Sequence, residues 1–170
     1  KEANFTVDQR ALKTALDRLQ NFVAYAQDFE KGGEERAYAI YVLARADELG
    51  QISEEEGRLT RRFATPALAE AGRLIAGWMT EAGLVVTVDP VGNVRGRNGS
   101  AGAPLVLGSH YDTVRDAGRY DGPLGVLCAI EVAGTAGNSG GPLEVVAFSD
   151  EEGARFAVAY LGSSAYRGRF

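Results

Sequence analysis

Apolar residues recur at three- and four-residue spacing early in the chain. Leu12, Leu16, Leu19, Val23 and Ala26 mark one face of a predicted amphipathic helix. Thr6-Val7-Asp8-Gln9 ahead of it has the form of a capping box, in which Thr6 satisfies an early amide and Gln9 reaches back. Lys31-Gly32-Gly33 interrupts the pattern, and a second helix is expected from Glu34 to Leu49, with Gly50 placed for a left-handed cap. Neither helix holds a cluster of catalytic residue types, so their Tyr and Phe side chains read as packing. A third helix is signalled by Thr65 as N-cap, Pro66 in the first turn and Gly83 at the close. Its expected buried face is Leu68, Ala71, Leu74, Ile75, Trp78 and Met79.

After Gly83 the period changes from helical to extended. Leu84 to Val88 predicts a strand, Asp89-Pro90 a turn, and Val91 to Arg97 a short partner strand. Asn98 to Gly102 is a loop, and Pro104 to Gly108 is an apolar run of the kind found in strands buried on both faces. A helix follows from about Gly122 to Ala133, then a glycine-rich loop (Thr135 to Gly141), a buried strand (Leu143 to Phe148) and a helical stretch (Tyr160 to Arg167). Helices alternating with buried strands predict an α/β fold, helices packed on a mixed, mostly parallel sheet. Residues 1–33 stand apart as a helical extension of unknown role, and 34–170 form the main unit.

Composition narrows the function classes. A chain of 170 residues with 45% hydrophobic and 24% charged residues can bury a core, which argues against global disorder. A net charge of −5, with lysine only at positions 1, 13 and 31, offers no basic surface to nucleic acid or anionic lipid. No apolar stretch reaches membrane-spanning length, and the start lacks signal-peptide order. The single cysteine, Cys128, excludes an intrachain disulfide and suits a reducing, cytoplasmic setting.

Three polar clusters fall beside the ends of the buried segments: Ser109-His110-Tyr111-Asp112, Tyr120-Asp121-Gly122 and Ser149-Asp150-Glu151-Glu152-Gly153. Carboxyl ends of strands in α/β sheets are where loops converge on a crevice. Imidazole and carboxylate are good ligands for zinc and similar divalent ions. His110 offers a nitrogen, Asp112 an acceptor for its other ring N–H, Asp121 two oxygens able to bridge ions. Of the adjacent glutamates, one can bind metal and the other take a proton. Each cluster alone has an ordinary explanation, as a structural His, a turn, or a solvated acidic helix start. Their ordered combination points to a divalent-metal site.

The blocks Gly108-Ser109-His110-Tyr111-Asp112-Thr113-Val114, Gly118 to Val126 and Phe148 to Phe156 resemble the zinc-dependent aminoacylase and carboxypeptidase family. The likeness is nearest to its branch of N-carbamoyl-L-amino-acid hydrolases, ureidopropionases and allantoate amidohydrolases. Leu59-Thr60-Arg61, Trp78 to Asn93, Leu161-Gly162-Ser163 and Arg167-Gly168-Arg169 are similar as well, so the resemblance runs over residues 37 to 170. It implies a zinc-exopeptidase-like catalytic domain with two divalent ions, zinc foremost, with manganese, cobalt or nickel as alternatives. It further implies His110 and Glu152 as ligands to separate ions, Asp121 as the bridge, Glu151 as general base and Asp112 as the residue orienting His110. The implied reaction is hydrolysis of a linear C–N bond in a small carbamoyl, ureido or amidino compound, by a protein that is a homodimer at full length.

Departures from the family pattern are equally specific. Members are longer, take further histidine ligands from later segments and carry an inserted lid and dimerisation domain, whereas this chain has one histidine. The domain is therefore expected to be an incomplete catalytic unit. Two other readings stay open: a non-catalytic domain of the family, and an aminopeptidase or dipeptidase relative.

Overall fold

The computed structural model describes residues 33–169. The expected helix at Leu12 to Ala26, its capping box and nearly all of the proposed extension lie outside the described residues. Helix α1 (Gly33–Gly50) buries Ala39, Val42, Ala46 and Leu49, a three- and four-residue spacing that puts them on one stripe. Its end departs from expectation. Gly50 is the last residue of the helix and is not among the glycines with positive φ, so it is no left-handed cap. The chain instead passes close to Arg119, whose Cγ and Cδ would lie 3.2 Å from a Cβ at Gly50.

Helix α2 (Pro66–Glu81) matches its signals. The Thr65 hydroxyl accepts from the Leu68 N–H at 3.2 Å, and Gly83 takes φ +80° to donate back to Thr80. Leu68, Ala71, Ile75, Trp78 and Met79 are buried as expected, while Leu74 is half-buried at the margin. Thr65→Ala is expected to lower stability by about 1 kcal/mol through the lost cap, read by urea denaturation. An unchanged midpoint would show that the first-turn amides find other partners.

Strands β1 (Val85–Val88), β2 (Val94–Arg97), β3 (Leu105–His110) and β4 (Leu143–Phe148) form one sheet in the order β1-β2-β4-β3. β1–β2 and β2–β4 are antiparallel and β3–β4 is parallel. The mixed sheet is as expected, but among the described residues its parallel part is confined to the β3–β4 pair, the two strands that precede the candidate site residues. Helix α3 (Pro123–Ala136) packs on β3, β4 and α1, and α2 packs on β1 and β2. Leu143, Val145 and Ala147 enter the shared core on this face of β4. The opposite face carries Glu144, bonded to Arg95 at 2.6 Å, and Phe148, met edge-on by Tyr166 of the short helix α4 (Leu161–Tyr166).

β4 is buried throughout its first five residues, whereas β3 corrects its expectation of burial on both faces. Among the described residues β3 has one neighbouring strand, and Val106 and Gly108 are exposed. An apolar run reports what a strand can bury, not whether a second layer covers it.

Candidate metal centre

The parallel register decides which residues meet. His110 ends β3 opposite Phe148 at the end of β4, and Tyr111 N–H extends the ladder to the Phe148 carbonyl at 3.0 Å. Both strands therefore deliver their following loops to the same edge of the sheet. Asp121 arrives from a third direction, just ahead of the N-terminus of α3.

Ligand atoms of His110, Asp121 and Glu152 lie within 4.8 Å of one another, the one such trio among the described residues. One imidazole and two carboxylates suit zinc, manganese and their neighbours in charge and donor type. His110 is held in place by Asp112. Its Nδ1 lies 3.1 Å from the Asp112 carbonyl and 3.3 Å from Asp112 Oδ1. Two acceptors at Nδ1 hold a ring proton there, so Nε2 is the nitrogen turned toward Asp121 Oδ1 at 3.7 Å and Glu151 Oε2 at 4.0 Å. Burial opposes a charge on the ring. The side-chain and carbonyl oxygens of Asp112, with the charges of Asp112 and Glu151, more than offset it and raise the pKa to about 9. Burial, aided by Glu151, Asp121 and Asp112, raises that of Glu152 despite His110. A compact group of carboxylates around one imidazole is the electrostatic setting that a divalent cation relieves.

Asp112 does more than its spacing from His110 suggests. Buried at 1% exposure, it accepts from the Glu151 N–H on Oδ1 at 3.0 Å and from the Glu152 N–H on Oδ2 at 3.2 Å. One carboxylate thus holds the imidazole and the acidic loop together. Asp121 is its opposite, with a side chain 77% exposed and open to approach. No helix begins at Asp150-Glu151-Glu152, so these residues are not an acidic first turn. Asp150 is buried, which raises its pKa, and its Oδ2 accepts from Leu161 N–H at the start of α4.

Gly122 is required by contact. At φ +82°, a Cβ there would stand 2.4 Å from Cε1 and 2.5 Å from Nδ1 of His110. Gly122→Ala is expected to cost about 1–2 kcal/mol for the backbone conformation alone, and further stability as the ring is displaced. A urea midpoint equal to that of the wild type would show that ring and loop are not in this contact.

Asn93 escaped the sequence reading. Fully buried, it donates to Asp89 Oδ2 and the Gly162 carbonyl and accepts from Ser149 N–H at 3.0 Å, pinning the base of the acidic loop. A turn asparagine gives no sequence signal of such reach.

No family model matches the chain. Allantoate deiminase of Arabidopsis thaliana is 50% identical over 136 residues, covering 74% of this chain and 26% of that protein. N-carbamoyl-L-amino acid amidohydrolase of Geobacillus stearothermophilus is 45% identical over 132 residues, covering 73% of this chain and 32% of its own length. A crystal structure of a hydantoinase/carbamoylase family amidase from Burkholderia ambifaria superimposes with TM-score 0.69 at 37% identity, over 77% of this chain and 34% of that one. The chain spans about a quarter to a third of the length of these relatives. Within that span, the chain belongs to the family of the allantoate deiminases and N-carbamoyl-L-amino-acid amidohydrolases, the hydantoinase/carbamoylase amidases.

Proposed function

We propose that this chain supplies the first part of a metal-dependent amidohydrolase site that cleaves a linear C–N bond in N-carbamoyl amino acids, ureido compounds or allantoate. The observation that carries the reading is the convergence of His110, Asp121 and Glu152 from separate segments of a chain whose relatives bear those names. His110 and Glu152 would hold separate ions, with Asp121 bridging them. Bound divalent ions, zinc foremost with manganese, cobalt or nickel as alternatives, would polarise the carbonyl or amidine carbon and its attacking water. Glu151, beside these donors, would serve as the base that takes a proton from the attacking water and returns it to the leaving nitrogen. Asp112 keeps the His110 tautomer fixed and anchors the backbone of Glu151 and Glu152. The working protein is taken to be a cytoplasmic homodimer acting on a small molecule. No helix among the described residues is long and apolar enough to cross a membrane.

A second reading has one observation in its favour. The chain contains a single histidine, so it supplies few nitrogen donors to two ions. A domain that binds one ion without turnover fits that count. Calorimetric titration of the 170-residue chain with zinc and with manganese tests the shared premise, and absence of binding to either would remove the metal site. Turnover of N-carbamoyl amino acids, allantoate and dipeptides by the full-length protein then separates the readings. Hydrolysis of a carbamoyl compound or allantoate is expected, and none of the three turning over would favour the non-catalytic one.

A further inference from the structure

We propose that Arg61 is a positioning residue for this centre: it locks the turn carrying Asp112, and through Asp112 it sets the backbone of Glu151 and Glu152. The inference rests on the metal-site reading above and adds a residue that touches no ligand atom.

Arg61 is fully buried, and it brackets Asp112 from both sides. Its Nε donates to the Tyr111 carbonyl at 2.8 Å, immediately before Asp112. Its main-chain N–H donates to Thr113 Oγ1 at 2.8 Å, and its carbonyl accepts from Thr113 N–H at 2.9 Å, immediately after it. Nη1 reaches back to the carbonyls of Leu49 at 2.8 Å and Ile52 at 3.1 Å, tying the same turn to the end of α1. The neighbouring residues reinforce the seam: Ala117 N–H donates to the Leu59 carbonyl and Asp116 N–H to Thr60 Oγ1.

A buried guanidinium is a costly way to fill space. None of the carboxylates among the described residues hydrogen-bonds to Arg61, and its Nη2 has no partner there. Burial lowers its pKa to about 10 against the opposing pull of Tyr111 and Asp112, so it remains a cation at neutral pH. An apolar side chain of similar volume would pack without that desolvation. What it could not do is donate in two directions at once, to the Asp112 turn and to the end of α1. Lysine keeps the charge but not the fork. The consequence travels 39 and 40 residues along the chain, because the Asp112 carboxylate is the acceptor for the Glu151 and Glu152 amides.

The test uses the 170-residue chain with Arg61→Lys and Arg61→Met, and Ile75→Ala as a control that weakens the core elsewhere. Amide hydrogen exchange at Glu151 and Glu152 in the zinc-free protein reads the clamp directly, and zinc titration reads its effect on the centre. Both Arg61 variants are expected to exchange at least ~10-fold faster at those amides than the wild type, with Val145 unchanged, and to bind zinc at least ~10-fold more weakly. Ile75→Ala should lower the melting temperature and change neither. Unaltered protection at Glu151 and Glu152 in the Arg61 variants, or the same losses in Ile75→Ala, would overturn the proposal. If Arg61→Met does not fold, Arg61→Lys and Thr113→Val, which removes the Oγ1 acceptor, carry the same comparison. A wild-type chain that binds no zinc would sink the metal reading alone, since the exchange measurement still decides the role of Arg61.

Discussion

Glu151→Gln in the full-length protein is expected to keep its zinc and lose at least ~100-fold in turnover, the low end of what a lost general base costs. Glu151 is not one of the three converging donors, yet its Oε2 stands 4.0 Å from His110 Nε2, beside them. Its side chain is 39% exposed, so water and substrate can reach it. Its backbone is held by Asp112, which fixes where the carboxylate starts from. Glutamine keeps the length and hydrogen-bonding capacity but cannot take a proton, so the substitution removes one chemical step and little else. Zinc content by elemental analysis and turnover of an N-carbamoyl amino acid or allantoate separate the possibilities. Full activity would remove Glu151 from the base role, and loss of zinc along with activity would make it a ligand instead.

Features decided by local chemistry were legible in the sequence. Thr65, Pro66 and Gly83 bound α2 because a cap is a contact between residues three or four apart, and the structure shows those contacts. Exposure was less legible. The apolar run at β3 predicts a strand buried on both faces, but burial depends on which layers cover it, and Val106 stays open. Strand direction was harder still. The short Asp89-Pro90 turn predicts β2 as the partner of β1, and the two pair antiparallel. But the period of two is the same in parallel and antiparallel pairs, so the antiparallel pairing of β2 with β4 could not be read from alternation. Gly50 departs too: it ends α1 without positive φ, and what sits beside it is the Arg119 side chain, 3.2 Å from where a Cβ would stand.

The candidate centre divides along the same line. His110 and Asp112 sit two apart, and the structure puts Asp112 oxygens at Nδ1 of the ring. That Asp112 also accepts from Glu151 and Glu152 depends on the parallel β3–β4 register, which sequence spacing does not carry. Arg61 was hidden more deeply. The Leu59-Thr60-Arg61 segment carries part of the family resemblance, but nothing in its spacing says what Arg61 holds. Charged groups are rarely buried without a partner. Only the fold shows that its partners are carbonyls from two other segments.

His110→Ala is expected to reduce zinc affinity by more than the ~10–100-fold typical of losing an outer hydrogen-bond partner, since it removes one of three donors outright. The pH dependence makes this prediction sharper. In the metal-free protein the ring has a pKa near 9, raised above the ordinary 6.5 against burial by the oxygens and charge of Asp112 and by Glu151. At neutral pH the ion must therefore displace a proton, so wild-type affinity should rise by about tenfold per pH unit between about pH 6 and 8. A raised histidine pKa also contributes stability that is fully present below about 6.5 and is lost as pH rises through about 9. The metal-free wild type should weaken over that alkaline window, and His110→Ala should not. Calorimetric titration at several pH values and urea denaturation across the same range measure both effects. A wild-type zinc affinity that does not change with pH would mean that His110 gives up no proton to the ion, and the imidazole would then have to be removed from the ligand set. If instead the variant loses the affinity and the pH slope together, the ring that Gly122 admits and Asp112 aims is the group that competes between proton and metal.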